Sequence, residues 1–381
     1  MAEPSCMPCR GAAVSAEEPG GCDWVATGAD LARAAGRWRG VIGMDTEFQR
    51  TDTFFPIPGL YQVAAGSGIW LIDPLAVDDW SPFTGMLTDP DTVKVVHACF
   101  EDLELFYRHL DVRPVNLFDT QLAAAFVSED FSTSYAALVE GMIGVTLPKH
   151  HTRSNWLRRP LSGDQVRYAQ EDVAYLVELH GALVDRLEAA GRRHWFDEDM
   201  RRRGRYAPRE PPSYFTGVKK AWKLDGRQLA VLKSLCDWRE RRAMAEDIPR
   251  NRVVWDEHLL QFAQQRSLDR MDIRRRLPPR VARLYGEGLL RAFEEGLEAT
   301  PEATLPKPLS QRQGGLLKRL RDIGRRRARE LGIAPELLAR LRDIEACIRH
   351  YRATGSLSDT WQGWRKAVVG TEFMAELGRR A

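Results

Sequence analysis

Apolar residues in the first quarter of the chain occur in short segments bounded by glycine or proline. These segments are rich in Val, Ile, Leu, Tyr and Trp, which favour strands, and they cover residues 39–48, 59–66, 68–75 and 92–98. The turns between the first three contain FFPIPG and GSG. The pattern therefore predicts strands that pair as neighbours in a sheet.

The apolar period changes from strand-like to helical after residue 98. The segment 100–110 carries apolar side chains at intervals of three and four residues, namely Leu103, Phe106, Tyr107 and Leu110. Similar spacing predicts helices over 118–127, 133–142, 164–190 and 193–200. Strands followed by helices indicate a layered α/β or α+β fold, with a mixed sheet flanked by helices.

Proline-rich and glycine-rich breaks divide the remainder of the chain. We predict a disordered tail over 1–22, an α/β domain over 23–205, a linker over 206–218, a helical module over 219–295, a linker over 296–308 and a second helical module over 309–381. The segments RQLAVLKSLCDWRERRA and RQGGLLKRLRDIGRRRA align with each other. This alignment indicates that the two helical modules are an internal repeat.

Charge is distributed unevenly between the two halves. Residues 1–200 carry 16 Lys and Arg against 30 Asp and Glu, a net charge of −14, whereas residues 201–381 carry 40 against 23, a net charge of +17. An acidic half suits a domain that binds cations, and a basic half suits attraction to nucleic acid. Arginine-rich helices that are simply solvated are the alternative.

The chain shows no sign of export or of membrane insertion. Its first residues lack an apolar core of a signal peptide, and no run approaches 18 consecutive apolar residues. Its six cysteines have no framework spacing, which favours a reducing compartment, and we expect a cytoplasmic protein. Cys6 and Cys9 form a lone C-x-x-C, whose alternatives are half of a zinc site, a redox pair or no function.

Carboxylates occur in three short segments at spacings that suit a metal site. Asp45 and Glu47 are two apart on a predicted strand, so both face one side of the sheet. Asp102 lies in the first turn of a predicted helix, while Tyr168 and Asp172 are four apart on another helix and share a face. Each feature alone is also typical of a solvated acidic surface.

These segments, in this order, resemble the DEDD superfamily of 3′-to-5′ exonucleases, and Tyr168 before the last aspartate marks its tyrosine-type branch. The flanking sequences TEFQRTDTFFPIPGLYQ, LIDPL, FDTQLAAAF and GVTLPKHHTRSNWLRRPLS are similar to ribonuclease D. The two helical modules resemble HRDC domains, the second more weakly than the first. The resemblance implies a ribonuclease H-like exonuclease domain over 23–205, followed by two HRDC-like bundles with an auxiliary role in binding nucleic acid.

The resemblance also implies roles for the five motif residues. Asp45, Glu47, Asp102 and Asp172 would ligate two divalent ions, Mg²⁺ or Mn²⁺, with Asp45 bridging both. The Tyr168 hydroxyl would orient the attacking water. The neighbouring Glu101 and Glu171 are expected to be surface charges.

Several further residues are predicted with weaker support. Asp119 is expected to cap the helix that follows it, with support of the metal site as the alternative. Gln62 and His97 are expected to be hydrogen-bonded interior groups. Phe48, Phe54 and Phe55 could stack on the terminal bases of a single strand, and at least one of the three is expected to belong to the core. The candidate substrate contacts, by base stacking, polar contact or phosphate binding, are Thr46, Phe48, Phe55, His97, Lys149, His151 and Arg153.

The predicted function is metal-dependent 3′-to-5′ exoribonuclease activity. The resemblance implies removal of nucleotides from single-stranded 3′ ends of RNA, with precursor tRNA as the substrate class and nucleoside 5′-monophosphates as products. No phosphate-binding G-x-x-x-x-G-K-[ST] loop is present, so hydrolysis is expected to need no ATP. A DNA 3′-to-5′ exonuclease and a catalytically silent RNA-binding protein are the alternatives.

Overall fold

The computed structural model describes residues 22–128, 130–148, 154–204 and 206–379. The predicted tail up to residue 21, including Cys6 and Cys9, lies outside the described residues, and so do the predicted contacts Lys149, His151 and Arg153. Within the described ranges, no helix is both long enough and apolar enough to cross a membrane.

In the part of the chain that the structure describes, six strands form one mixed sheet at the centre of the N-terminal domain. They are β1 Asp23–Val25, β2 Val41–Gln49, β3 Ile57–Ala65, β4 Gly68–Ile72, β5 Val93–Val96 and β6 Leu117–Asp119. The spatial order is β1-β4-β3-β2-β5-β6. The pairs β2–β3 and β3–β4 are antiparallel and the other pairs are parallel. The predicted mixed sheet is confirmed, and β2 lies inside it, where both faces are covered.

Among the described residues, eight helices flank this sheet. They are α1 Gly28–Ala35, α2 Ser81–Thr88, α3 Phe100–Leu110, α4 Thr120–Ala125, α5 Tyr135–Ile143, α6 Gly163–Ala174, α7 Leu176–Ala189 and α8 Arg193–Arg203. The helix predicted over 100–110 is confirmed. The helix predicted over 118–127 is partly wrong, because residues up to Asp119 belong to β6 and α4 begins at Thr120.

The single helix predicted over 164–190 is two helices that break at Tyr175. The Tyr135 hydroxyl donates a hydrogen bond to the Glu171 carbonyl oxygen at 3.1 Å and accepts one from the Tyr175 amide at 3.1 Å. In an uninterrupted helix that carbonyl and that amide would bond to each other. A side chain inserted into the hydrogen-bond ladder therefore causes the break.

The C-terminal part of the chain forms two helical bundles. After short 3₁₀ turns at Pro211–Gly217 and Ala221–Lys223, the first bundle contains α9 Gly226–Ala245, α10 Arg250–Val253, α11 Asp256–Ala263, α12 Arg270–Arg276 and α13 Pro279–Glu298. The second contains α14 Gln311–Leu331, α15 Glu336–Ala339, α16 Leu341–Thr354, a 3₁₀ turn Asp359–Trp361, a π-helical segment Lys366–Gly370 and α17 Thr371–Gly378. Both α9 and α14 begin with a capping box, in agreement with their similar sequences.

The two bundles contact the N-terminal domain in different ways. The first has its own apolar core, to which the domain contributes Phe54. The second shares a continuous core with α4, α7 and α8, in which Trp364 contacts Phe126 and stacks on Trp195. The second bundle is therefore packed as part of the N-terminal domain's own interior.

Candidate active site

Asp45 and Glu47 project from β2 towards α6 and α7. Gly43, on the same face of the strand, lies so close to α7 that an added Cβ would stand 2.7 Å from the Cβ atom of Leu176. Met44 faces the opposite side, where it is buried in a separate core. The predicted alternation is confirmed, and a glycine is needed where the helix approaches the strand most closely.

Asp172 completes a tight group of acidic side chains. It lies near the C-terminal end of α6, three residues before the break at Tyr175. One carboxylate oxygen from each of Asp45, Glu47 and Asp172 falls within 4.8 Å of the others. A strand and a helix that are far apart in sequence thus bring three of the four predicted carboxylates to one point.

Asp102 approaches this group from the other face of the sheet. It is buried in the first turn of α3, and its Oδ1 atom accepts a hydrogen bond from the hydroxyl of Thr46. Asp102 does not belong to the group of three residues whose carboxylate oxygens lie within 4.8 Å of one another. Its charge nevertheless raises the pKa of both Asp45 and Glu47. The buried Thr46, predicted as a substrate contact, is therefore a hydrogen-bond partner that holds Asp102 beside the cluster.

The carboxylates of the cluster raise one another's pKa. Burial raises the pKa of Asp45 well above its usual value, and the charges of Asp172, Asp102 and Glu47 raise it further. Burial, then Asp172 and Asp102, raises the pKa of Glu47 to about 8. Burial raises the pKa of Asp102 to about 6, although the Thr46 hydrogen bond opposes the shift. Negative charge is therefore concentrated at this cluster.

Tyr168 lies one helical turn before Asp172 on α6, which begins with a capping box formed by Ser162 and Gln165. Its ring packs against Trp156, with 6.0 Å between the ring centroids. Burial raises the pKa of the Tyr168 phenol, and the neighbouring Asp172 and Glu47 raise it further. The phenol therefore keeps its proton at neutral pH.

Asp119 caps α4 as predicted, by accepting hydrogen bonds from the amides of Gln121 and Leu122. It also accepts hydrogen bonds from the amides of Ala98 and Cys99, which precede α3, and forms an ion pair with Arg203 of α8. This fully buried carboxylate thus ties the start of the Asp102 helix to two other elements. The cap could be predicted from the residues next to Asp119, whereas no feature of the sequence indicated the ion pair with Arg203.

His97 and Gln62 were both predicted to be hydrogen-bonded interior groups, and the structure supports this prediction only for His97. His97 is half-buried, bonds to the Thr120 hydroxyl through Nδ1 at 2.8 Å and contacts the Tyr135 ring. Gln62 is fully buried opposite Asp45, but its amide atoms have no hydrogen-bond partner among the described residues. The prediction that Gln62 is hydrogen-bonded is therefore wrong within this part of the chain.

Phe54 and Phe55 lie where the N-terminal domain meets the first bundle. Their backbone amides both donate to the Asp247 carboxylate at 3.0 Å, and the Arg108 guanidinium stacks on the Phe55 ring with 4.6 Å to its centroid. Phe54 is buried and Phe55 is half-buried. These contacts favour a role for Phe55 in packing the two domains, because the ring packs against the core of the first bundle and Arg108 covers one of its faces.

Two other predicted side chains are found in the domain interior or at its edge. Phe48 is half-buried against the core on the α3 side of the sheet. Glu171, expected at the surface, is buried with 8 % of its area exposed. That expectation was wrong because residue 171 lies at the junction where Tyr135 of α5 packs against the end of α6. Glu101 is exposed, as predicted.

The donor set fits divalent cations. The clustered ligand atoms are carboxylate oxygens, which are the ligands that hard cations such as Mg²⁺ and Mn²⁺ prefer. The raised pKa of Glu47 shows that the folded chain disfavours these negative charges when they are alone. A bound cation would remove that penalty, so the arrangement is suited to divalent metal.

The chain is similar in sequence to known proteins along most of its length. The 3′-5′ exonuclease family matches residues 22–188, and the HRDC domain family matches residues 228–293. The ribonuclease D of Pseudomonas paraeruginosa is 41% identical over 366 residues, which cover 93% of this chain and 97% of that protein. The ribonuclease D of Escherichia coli is 36% identical over 353 residues, which cover 88% and 91%.

A solved structure extends this similarity to three dimensions. The crystal structure of Escherichia coli RNase D, described as an exoribonuclease involved in structured RNA processing, superposes with a TM-score of 0.86 and 32% sequence identity. The match covers 94% of this chain and 99% of that one. The two proteins therefore have the same arrangement of the sheet, its flanking helices and the helical C-terminal region.

Proposed function

We propose that this chain, which belongs to the ribonuclease D family and is a 3′-to-5′ exoribonuclease, removes nucleotides singly from RNA 3′ ends with the help of two divalent ions. The products would be nucleoside 5′-monophosphates, and precursor tRNA would be among its substrates. The observation that carries the proposal is the group of Asp45, Glu47 and Asp172, whose oxygens lie within 4.8 Å of one another.

The four carboxylates would hold the cations. Asp45, Glu47 and Asp172 would supply the central ligands, and Asp102, oriented by Thr46, would supply a ligand from the opposite face of the sheet. When bound, divalent cations supply positive charge that stabilises the phosphate and the leaving oxygen as negative charge develops on them. Mg²⁺ and Mn²⁺ both suit this donor set.

Tyr168 would position the attacking water. Because its pKa is raised, the phenol stays protonated and cannot serve as a general base at neutral pH. Its hydroxyl can instead form a hydrogen bond that fixes the direction of attack. Burial of the ring against Trp156 keeps the hydroxyl in place.

An RNA substrate with a structured body is supported by the chain's second half. Residues 201–381 carry a net charge of +17, which attracts a polyanion, while the acidic cluster needs bound cations before it can accept a phosphate. The Escherichia coli relative is described as acting in structured RNA processing. We infer that the helical bundles hold the RNA body while its 3′ end reaches the cluster.

The test compares degradation of matched RNA and DNA strands carrying a 5′ label, in Mn²⁺ and in chelator. We expect stepwise shortening of RNA from its 3′ end, release of 5′-monophosphates, and no shortening with Asp45→Asn. Glu101→Gln, an exposed neighbour of Asp102, is the matched control and should retain activity. Normal RNA degradation by Asp45→Asn would refute the site, and faster degradation of DNA would favour a DNA exonuclease.

A further inference from the structure

An open cleft of about 750 Å³ is lined by residues of both the N-terminal domain and the second helical bundle. Its wall on the domain side includes Phe100 and Leu103, the residues of α3 that lie on either side of Asp102 in sequence. Its opposite wall includes α15, the start of α16 with Arg342, and Arg340, which lies between these two helices. The cleft therefore begins at the helix that carries one of the four active-site carboxylates.

The second bundle holds its wall of the cleft in a fixed position. Arg365 forms a two-pronged ion pair with Asp199 of α8, with N–O distances of 2.6 and 2.7 Å. The Ala334 amide donates to the Ala125 carbonyl oxygen at 2.8 Å. Together with the shared apolar core, these contacts give the cleft a defined width rather than a variable one.

Arg340 differs from the other arginines that line the cleft. Each of the other four lies within ion-pair distance of a carboxylate. The pairs are Arg203–Asp119, Arg365–Asp199, Arg202–Glu198 and Arg342–Asp343, the last at 3.5 Å. In contrast, Arg340 forms no ion pair with any residue that the structure describes. Its guanidinium lies over the Phe131 ring, 4.9 Å from the centroid, which holds it at the cleft wall.

Positive charge around Arg340 exceeds what the neighbouring carboxylates offset. Burial lowers the pKa of Arg340, and the charges of Arg342, Arg203 and Arg365 lower it further, against an opposing effect of Asp343. The lining residues include five arginines and three acidic residues, which are Asp343, the exposed Glu336, and Asp199, paired with Arg365. A bound phosphate would relieve the repulsion among the guanidinium groups and would accept hydrogen bonds from Arg340.

We propose that this cleft is the path of the RNA strand on the 5′ side of the scissile bond, with Arg340 binding a backbone phosphate. Phe100, which lines the cleft and has 69% of its area exposed, provides a face on which a base can stack. The inference rests on the proposed function, because it assumes that the 3′ end lies at the carboxylate cluster. It adds Arg340, a residue of the second bundle, to the substrate contacts, whereas the five motif residues all lie in the N-terminal domain.

The test exploits substrate length. A dinucleotide is too short to occupy both the carboxylate cluster and the cleft, whereas a single strand of about twelve nucleotides can fill both. For Arg340→Gln we expect a KM about tenfold higher on the longer strand, because one charge-assisted hydrogen bond is lost. The KM on the dinucleotide should be unchanged. Arg340→Lys should recover part of the loss, and Arg352→Gln, an exposed arginine of α16 outside the cleft, should behave as wild type.

A binding measurement separates this inference from the proposed function. Fluorescence anisotropy of the longer strand with Asp45→Asn, in chelator, reports binding without turnover. Adding Arg340→Gln should weaken binding about tenfold and reduce the slope of log Kd against log salt by about 0.7. Unchanged binding, or an equal loss on the dinucleotide, would overturn the role of the cleft. A wild-type chain that degraded no RNA would instead refute the proposed function and leave the binding result interpretable.

Discussion

Replacing Glu47 with glutamine should stabilise the metal-free protein at alkaline pH. The folded chain raises the pKa of Glu47 from 4.5 to about 8, first through burial and then through Asp172 and Asp102. A carboxyl whose pKa is higher in the folded state holds a proton that the unfolded chain releases. Without metal, stability is therefore fully retained below the unfolded pKa and falls as pH rises towards about 8.

The size of this effect follows from the pKa shift. Each unit of pKa corresponds to about 1.4 kcal/mol, so at about pH 8 the ionisation of Glu47 costs the folded state roughly 4 kcal/mol. Because water entry and side-chain relaxation reduce such a penalty, this figure is a ceiling. Glu47→Gln keeps the size of the side chain and removes the charge, so it should recover up to that amount.

Urea denaturation in chelator measures this difference. We expect Glu47→Gln to have a higher free energy of unfolding than wild type at about pH 8 and nearly the same value at about pH 5, where Glu47 is protonated in the folded state. Glu101→Gln, at an exposed position, should match wild type at both pH values. Mn²⁺ should stabilise wild type more than Glu47→Gln. A variant that is no more stable than wild type at about pH 8 would refute the repulsion argument.

Three further substitutions test the surroundings of the cluster. Tyr168→Phe should lower kcat about a hundredfold while Mn²⁺ still raises the melting temperature as in wild type, since the phenol orients water rather than ligating metal; a normal kcat would contradict this role. Thr46→Val should lower the free energy of unfolding by about 1–3 kcal/mol, measured with urea, because the buried Asp102 loses a hydrogen bond. Tyr135→Phe removes the hydroxyl at the helix break and should weaken Mn²⁺ binding about tenfold in calorimetry, by letting Asp172 shift; unchanged affinity would show that the break does not position it.

Local periodicity made the central strands and helices predictable. The segment that became α3 shows its apolar residues at helical spacing over its whole length. In contrast, β1 and β6 are three residues long, which is too short for an alternating pattern to be recognised. The break at Tyr175 was also invisible, because its cause is the hydroxyl of Tyr135, 40 residues earlier in the chain.

The sequence by itself determined which side chains could share a face. Asp45 and Glu47 are two apart on a strand, and Tyr168 and Asp172 are four apart on a helix, so backbone geometry alone aligns each pair. The resemblance to a known family then connected the pairs to one chemistry. Spacing alone left surface positions for these carboxylates as the alternative to a metal site.

Tertiary structure decided how those pairs meet and what surrounds them. The hydrogen bond from Thr46 to Asp102 and the placement of Arg340 opposite Phe100 each join segments more than fifty residues apart. Such contacts depend on how helices pack against the sheet and against each other, and no local period along the chain encodes them. Periodic backbone geometry therefore set the direction of individual side chains, whereas the packing of the apolar cores set the distances between them.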